Sequence, residues 1–129
     1  MARPASKYPT ELELEILKAL WRQAPATVRQ VREALTPARE LAYTSVMTVM
    51  TIMAKKGYLK RVRQGGGYVY TPAVGEREMA GRMLGDVLDR VFDGSAASLL
   101  VNLLETNEID AAELDRIRGL IGRKTQEGA

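Results

Sequence analysis

The sequence predicts a mainly α-helical chain with one small β-hairpin, and three observations carry that expectation. Apolar residues recur at helical spacing in three short segments before Gly57 and in three more after Gly75. Between the two groups, two short runs of β-branched and aromatic residues flank three consecutive glycines. Capping pairs and Gly or Pro stops stand where those segments must begin and end.

Thr10 followed by Glu13 reads as a capping box, and Leu12, Ile16, Leu17, Leu20 and Trp21 then share a face, so a first helix is expected near residues 11 to 22. Ala24-Pro25 ends it. Thr27 with Gln30 repeats the capping pattern for a short second helix marked by Val28, Val31 and Leu35 and stopped before Pro37. A third is expected from about Tyr43 to Lys56, with Val46, Val49, Met50, Met53 and Ala54 on its apolar side and Gly57 as its stop. Leu59 to Arg63 and Tyr68 to Thr71 then read as a hairpin around Gln64-Gly65-Gly66-Gly67. After Pro72 and Gly75, Met79, Met83, Leu84, Val87, Leu88, Val91 and Phe92 outline a long amphipathic helix ending at Gly94. A further helix is expected over roughly Ser95 to Glu105, and a last one, capped by Asp110 with Glu113, carries Leu114, Ile117, Leu120 and Ile121.

Composition narrows the function classes. With 46% hydrophobic and 27% charged residues, the chain has the make-up of a folded protein and not of a disordered tail. It has no cysteine and no histidine, which removes disulfides, thiol nucleophiles, the commonest metal ligands and the commonest general base. No catalytic constellation, cofactor motif or metal site stands out, so an enzyme is not expected. No apolar run approaches the roughly 20 residues of a membrane-spanning helix, and Met1 to Pro9 lacks a secretory apolar region, so a cytoplasmic protein without membrane insertion is expected. The net charge of +3 is divided unevenly. Up to Pro72 there are 12 basic and 5 acidic residues, and from Ala73 onward 7 basic and 11 acidic. Between Glu40 and Glu76 there is no acid, so the five cations of that stretch stand in the sequence without local competition for an anionic partner.

Two short helices, a compact connection and a third helix form the layout of a helix-turn-helix, and the hairpin after it completes a winged helix-turn-helix. Residues 1–73 are therefore read as a DNA-binding domain and residues 74–129 as a helical dimerisation domain. On the third helix, Thr44, Thr48, Thr51 and Lys55 form a stripe opposite the apolar side, flanked by Ser45, Met47 and Ile52. Small hydroxyl side chains allow close approach to base edges, where they can donate or accept. Thr44, Ser45, Met47, Thr48 and Thr51 are accordingly assigned to bases. Lys55, Arg61, Arg63 and Tyr68 are assigned to the phosphate backbone, with the Gly-rich tip permitting close approach. The bland alternatives are threonines facing solvent and an ordinary solvated turn. A nucleotide-cradling role for Gly65-Gly66-Gly67 is disfavoured, because no Lys-Ser or Lys-Thr pair follows and no helix opens there.

In the C-terminal half, Leu99, Leu100, Val101, Leu103 and Leu104 make a helix apolar nearly all round, which calls for burial that some 55 residues struggle to supply. Two-fold pairing is the commonest remedy. Leu84, Val87, Leu88, Val91, Leu99, Leu100, Leu103, Leu104, Leu114, Ile117 and Ile121 are the expected homodimer interface, the alternative being that these helices fold back on the N-terminal domain. A long coiled coil is excluded by the breaks at Gly94 and Asn107.

LAYTSVMTVMTIMAKKGYLKR (Leu41 to Arg61) followed by GGGYVYTPAV (Gly65 to Val74), with ELEILKALW (Glu13 to Trp21) and SLLVNLLE (Ser98 to Glu105), resembles the penicillinase-repressor, or BlaI/MecI, family over nearly the whole chain. The resemblance implies a winged-helix domain, a helical dimerisation domain and a repressor of transcription on a palindromic operator. In the β-lactamase branch, it further implies relief of repression when a membrane-bound sensor metallopeptidase, responding to a β-lactam, causes cleavage of the repressor. By position the scissile bond matches Asn102-Leu103. Read without the resemblance, Asn102 is a polar interruption in an interface helix. The copper-sensing branch depends on cysteines that this chain lacks. Met47 is a departure, since the β-lactamase repressors place an arginine there. The rival functional class is a winged-helix module that uses the same face for protein contacts and has no operator.

Overall fold

The computed structural model describes residues 8–36 and 38–128. The order of elements is α1 (Glu11–Arg22), α2 (Val28–Leu35), α3 (Tyr43–Lys56), β1 (Leu59–Gln64), β2 (Gly67–Pro72), α4 (Glu76–Phe92), α5 (Ala96–Thr106) and α6 (Ala111–Glu127). This is the mainly helical chain with one hairpin that the apolar spacing predicts. The chain divides into two compact units, residues 1–83 and 84–129, with α4 beginning in the first and ending in the second.

Both expected capping boxes at the start of the chain form. The Thr10 hydroxyl accepts from the Glu13 N–H while Glu13 returns the bond to the Thr10 N–H, and Thr27 and Gln30 do the same for α2. Each box satisfies donors that a helix start otherwise leaves bare. α3 ends at Gly57, whose φ of 88° is the left-handed conformation that an L side chain resists.

The core of the first unit is built from the faces read in the sequence. Ile16, Leu17 and Leu20 of α1, Val28 and Val31 of α2, and Val46, Met50 and Met53 of α3 are buried together with Leu59 and Tyr70 of the hairpin. Val49 and Ala54 pack at its edge. Val74 and Met79 are also buried in this cluster, and the Trp21 indole Nε1–H donates to the Val74 carbonyl at 2.9 Å. The packing of the first unit thus continues past residue 73 into the first turns of α4, because Met79 is the apolar residue that closes that end of the core.

Within the hairpin, Leu59 pairs with Pro72 and Gln64 with Gly67, which leaves a two-residue loop of Gly65 and Gly66. Both have positive φ, 57° and 84°, the combination demanded by the tight turn that matches strand twist. The hairpin does not stand alone. Ala26 and Tyr70 exchange reciprocal backbone hydrogen bonds of 3.1 and 2.8 Å, which ties β2 by an isolated antiparallel bridge to the segment just before α2.

Among the described residues, one charged group is buried against this core. Glu13 is 3% exposed, and the Lys56 ammonium donates to both of its carboxylate oxygens, at 3.3 and 3.0 Å. Burial disfavours its ionised form, but the Thr10 backbone N–H, the Lys56 ammonium and the Thr10 hydroxyl outweigh burial and hold its pKa below the ordinary carboxylate value. A folded-state pKa below the unfolded one stabilises the fold at any pH above the unfolded value, and that stability is lost as pH falls through the folded one. Lys56→Met is expected to lower stability at neutral pH by about 2 kcal/mol, by leaving a buried charge without its cation. Relative to the parent, it should also flatten the loss of stability on acidification. Trp21 is the single tryptophan and sits in this unit, so urea titrations followed by its fluorescence at several pH values measure both effects.

Candidate nucleic-acid interface

Of the expected contact residues of the first unit, Met47 and Thr51 of α3 and Arg61 and Tyr68 of the hairpin line one concavity, while Thr44, Ser45, Thr48, Lys55 and Arg63 are exposed but are not among its lining residues. On α3, Thr44, Ser45, Met47, Thr48 and Lys55 are exposed and Thr51 is half-buried, opposite the buried Val46, Met50 and Met53. Beside that face stands the tip of the hairpin. Strand alternation puts Arg61, Arg63, Tyr68 and Tyr70 on one side of the β1–β2 pair, and of these only Tyr70 is buried. Tyr70 therefore seats the base of the wing in the core, and the same side, continued toward the tip, bears the arginines.

The Tyr68 ring contacts both of those arginines, with its centroid 4.5 Å from the Arg61 guanidinium carbon and 5.6 Å from that of Arg63. Both are within cation–π range, so the ring helps to hold two long, flexible cations in place. A concavity of roughly 430 Å³ separates α3 from the wing, lined by Tyr43, Met47 and Thr51 on the helix side and by Arg61, Gln64 to Gly67 and Tyr68 on the wing side.

Two details differ from the sequence reading. The Thr48 hydroxyl donates to the Thr44 carbonyl at 2.9 Å, and the Thr51 hydroxyl to the Met47 carbonyl at 2.8 Å. Their protons are turned back into the helix, so each side chain offers a methyl and an acceptor-only oxygen outward. The second concerns charge. Of the five cations between Glu40 and Glu76, Lys56 has an acidic partner after all, since folding brings Glu13 to it from 43 residues away. Among the described residues, Lys55, Lys60, Arg61 and Arg63 form no ion pair with a carboxylate. Arg32 and Arg39 are also engaged internally, Arg32 with the Leu41 carbonyl at 2.7 Å and Arg39 with Glu15.

Sequence reasoning gave no contact role to Arg29, Tyr43 or Gln64, which line the same concavity. Gln64 was legible as part of the glycine tip. Arg29 lies at the start of α2, far in sequence from the wing, and only folding shows it beside that hairpin.

In the second unit, none of the described residues is buried. Leu88, Leu99, Leu100 and Ile117 are half-buried, while Leu84, Val87, Val91, Leu103, Leu104, Leu114 and Ile121 are exposed, Val91 by 66%. Val101 and Leu120, absent from the expected interface, are exposed as well. Asn102 and Leu103 lie inside α5, both exposed.

A bundle of three helices completed by a two-stranded wing, with an acid-free face of hydroxyl, thioether and cationic groups, defines the class as winged-helix proteins. Comparison with known proteins then gives the family. The penicillinase repressor family matches residues 9–123, and the chain belongs to it. It is 39% identical over 110 residues to the transcriptional regulator BlaI of Mycobacterium tuberculosis, covering 84% of this chain and 78% of that one. The penicillinase repressor of Bacillus licheniformis is 24% identical over 108 residues, 84% of either chain. The methicillin resistance regulatory protein MecI of Mammaliicoccus sciuri is 21% identical over 112 residues, 87% of this chain and 91% of its own.

The two faces of this surface separate in a binding experiment. Arg63→Ala should weaken binding to a preferred duplex and to random DNA by a similar factor. It should also reduce the slope of log affinity against log salt by about 0.9 for each phosphate that Arg63 neutralises in the parent. Fluorescence anisotropy titrations across a salt series measure both. Weakening confined to the preferred duplex would move Arg63 from the backbone to the bases.

Proposed function

We propose that the chain is a homodimeric repressor that binds a palindromic operator in the cytoplasm, with α3 in the major groove and the wing along the phosphate backbone. The observation that carries this reading is that Met47 and Thr51 of α3 face Arg61 and Tyr68 of the wing across one concavity, with Thr44, Ser45 and Thr48 exposed on the same helix and Lys55, Arg61 and Arg63 without a carboxylate partner among the described residues. Groups for base edges occupy the helix, and groups for phosphates occupy its end and the wing. Family membership supports it, since the relatives' names describe transcriptional regulators and a repressor.

Dimerisation is supported by the second unit. Helices whose apolar residues stay exposed within one chain need another surface, and a second copy supplies the same surface by two-fold symmetry. Relief of repression by a β-lactam-responsive sensor metallopeptidase is assigned to the Asn102-Leu103 bond. Because that bond lies within α5, cutting it requires the helix to unwind locally, and the cut detaches α6 from α4 without touching any residue of α3 or the wing.

Selection from a random duplex pool should return a palindrome with half-sites about one helical turn, roughly 34–36 Å, or a multiple apart. A fragment ending at Met83 keeps the whole first core and should be monomeric by light scattering. It should also bind that palindrome far more weakly than the full chain, because the second half-site is no longer engaged at an effective concentration of about millimolar. A pool that yields no motif would favour the protein-contact module, and a fragment that stays dimeric or binds within a few-fold of the full chain would overturn the division of labour.

A further inference from the structure

We propose that the middle of α3 reads its operator through the 5-methyl groups of thymine, with Met47 and Thr48 as the residues that set this preference. The inference rests on the operator-binding reading above and adds the chemistry of what is recognised.

Direct readout of guanine or adenine depends on side chains that make two hydrogen bonds to one base: arginine or lysine to guanine, asparagine or glutamine to adenine. From Tyr43 to Lys56 there is no arginine, asparagine, glutamine or acid. The helix has two lysines. Lys56 is committed to the buried Glu13, and Lys55 stands in the last turn, where it suits a phosphate. The central positions are therefore left to Met47, 40% exposed, and to Thr48 and Thr51.

Those threonines are poor donors to bases, because their hydroxyl protons are already given to the carbonyls of Thr44 and Met47. Withdrawing a proton to reach a base exchanges one hydrogen bond for another and adds little discrimination. At the middle of the outward surface this leaves the thioether of Met47 and the methyl-bearing side chains of the two threonines, with the apolar Ile52, 43% exposed, beside them and the Thr44 and Ser45 hydroxyls toward the start of the helix. In the major groove the complementary group is the thymine C5-methyl, which cytosine and both purines lack. The concavity next to Met47 agrees, because its helix side, Tyr43, Met47 and Thr51, bears no formal charge.

The test uses the unaltered full chain. Once an operator has been selected from a random pool, each thymine of a half-site is replaced in turn by deoxyuridine, which pairs identically and lacks only the methyl. At least one replacement per half-site is expected to weaken binding about fourfold, the equivalent of one apolar carbon returned to water, and symmetric replacement in both half-sites about fifteenfold. Two variants locate the contact. Thr48→Val keeps the methyl without the hydroxyl and should bind within twofold of the parent. Thr48→Ser keeps the hydroxyl without the methyl, alters both half-sites of a dimer, should bind the operator about fifteenfold more weakly, and should be indifferent to deoxyuridine at the thymine it touches. Met47→Arg should shift the selected consensus toward guanine at one position of each half-site. Half-sites without thymine, or deoxyuridine operators that all bind within twofold of the thymine operator, overturn the inference while leaving operator binding intact. A pool with no consensus overturns the operator reading itself.

Discussion

Ala26 and Tyr70 exchange two backbone hydrogen bonds, and the geometry of the candidate interface depends on that exchange. A two-stranded hairpin is at best marginally stable by itself in water. Here β2 gains a second partner just before α2, and the Tyr70 side chain, 2% exposed, is driven into the core between the helices. The base of the wing is thus held by the same residues that hold α2 and α3. Arg61, Arg63 and Tyr68, on the same side of the hairpin and toward its tip, are placed relative to α3 as a consequence. Without the bridge they would be three flexible side chains on a mobile ribbon.

Charge is arranged with the same economy. Glu13, the one buried carboxylate among the described residues, pairs with Lys56, while the exposed side of α3 and both strands carry no acid. A field of one sign is therefore kept over the part of the surface that is proposed to meet phosphates, and the cation that pairs with the buried Glu13 comes from the exposed end of the same helix. The second unit is organised differently. Its helices are capped, by the Ser95 hydroxyl and the Asp110 carboxylate, yet they bury no described residue, so their local signals are satisfied while their apolar faces are not. Local structure there is encoded in the chain, and burial is left to another surface, proposed to be a second copy.

Much of this was legible before folding. The helices of the first unit begin at capping boxes or near Tyr43 and end at Gln23, Thr36 and Gly57, so their limits could be read to within a residue or so. The stripe on α3 follows from helical periodicity, and the positive-φ loop from consecutive glycines. Three features were not legible. The pairing of Lys56 with Glu13 spans 43 residues. The inclusion of Val74 and Met79 in the first core depends on how the chain returns after the wing, so a division at Pro72–Gly75, natural from composition, falls short of where packing ends. The third is the inward turn of the Thr48 and Thr51 hydroxyls, a choice of rotamer that periodicity does not specify.

The central claim is that α3 and the wing together form the surface that meets DNA. Amide chemical-shift mapping of the full chain, titrated with its selected operator duplex, measures this residue by residue. The largest changes are expected from Thr44 to Lys55 along the exposed side of α3 and from Arg61 to Tyr68 in the wing, with Arg29 among the affected residues and the outer side of α1, at Lys18 and Arg22, unmoved. Changes concentrated on α1, or in α5 and α6 with α3 and the wing silent, would contradict the account.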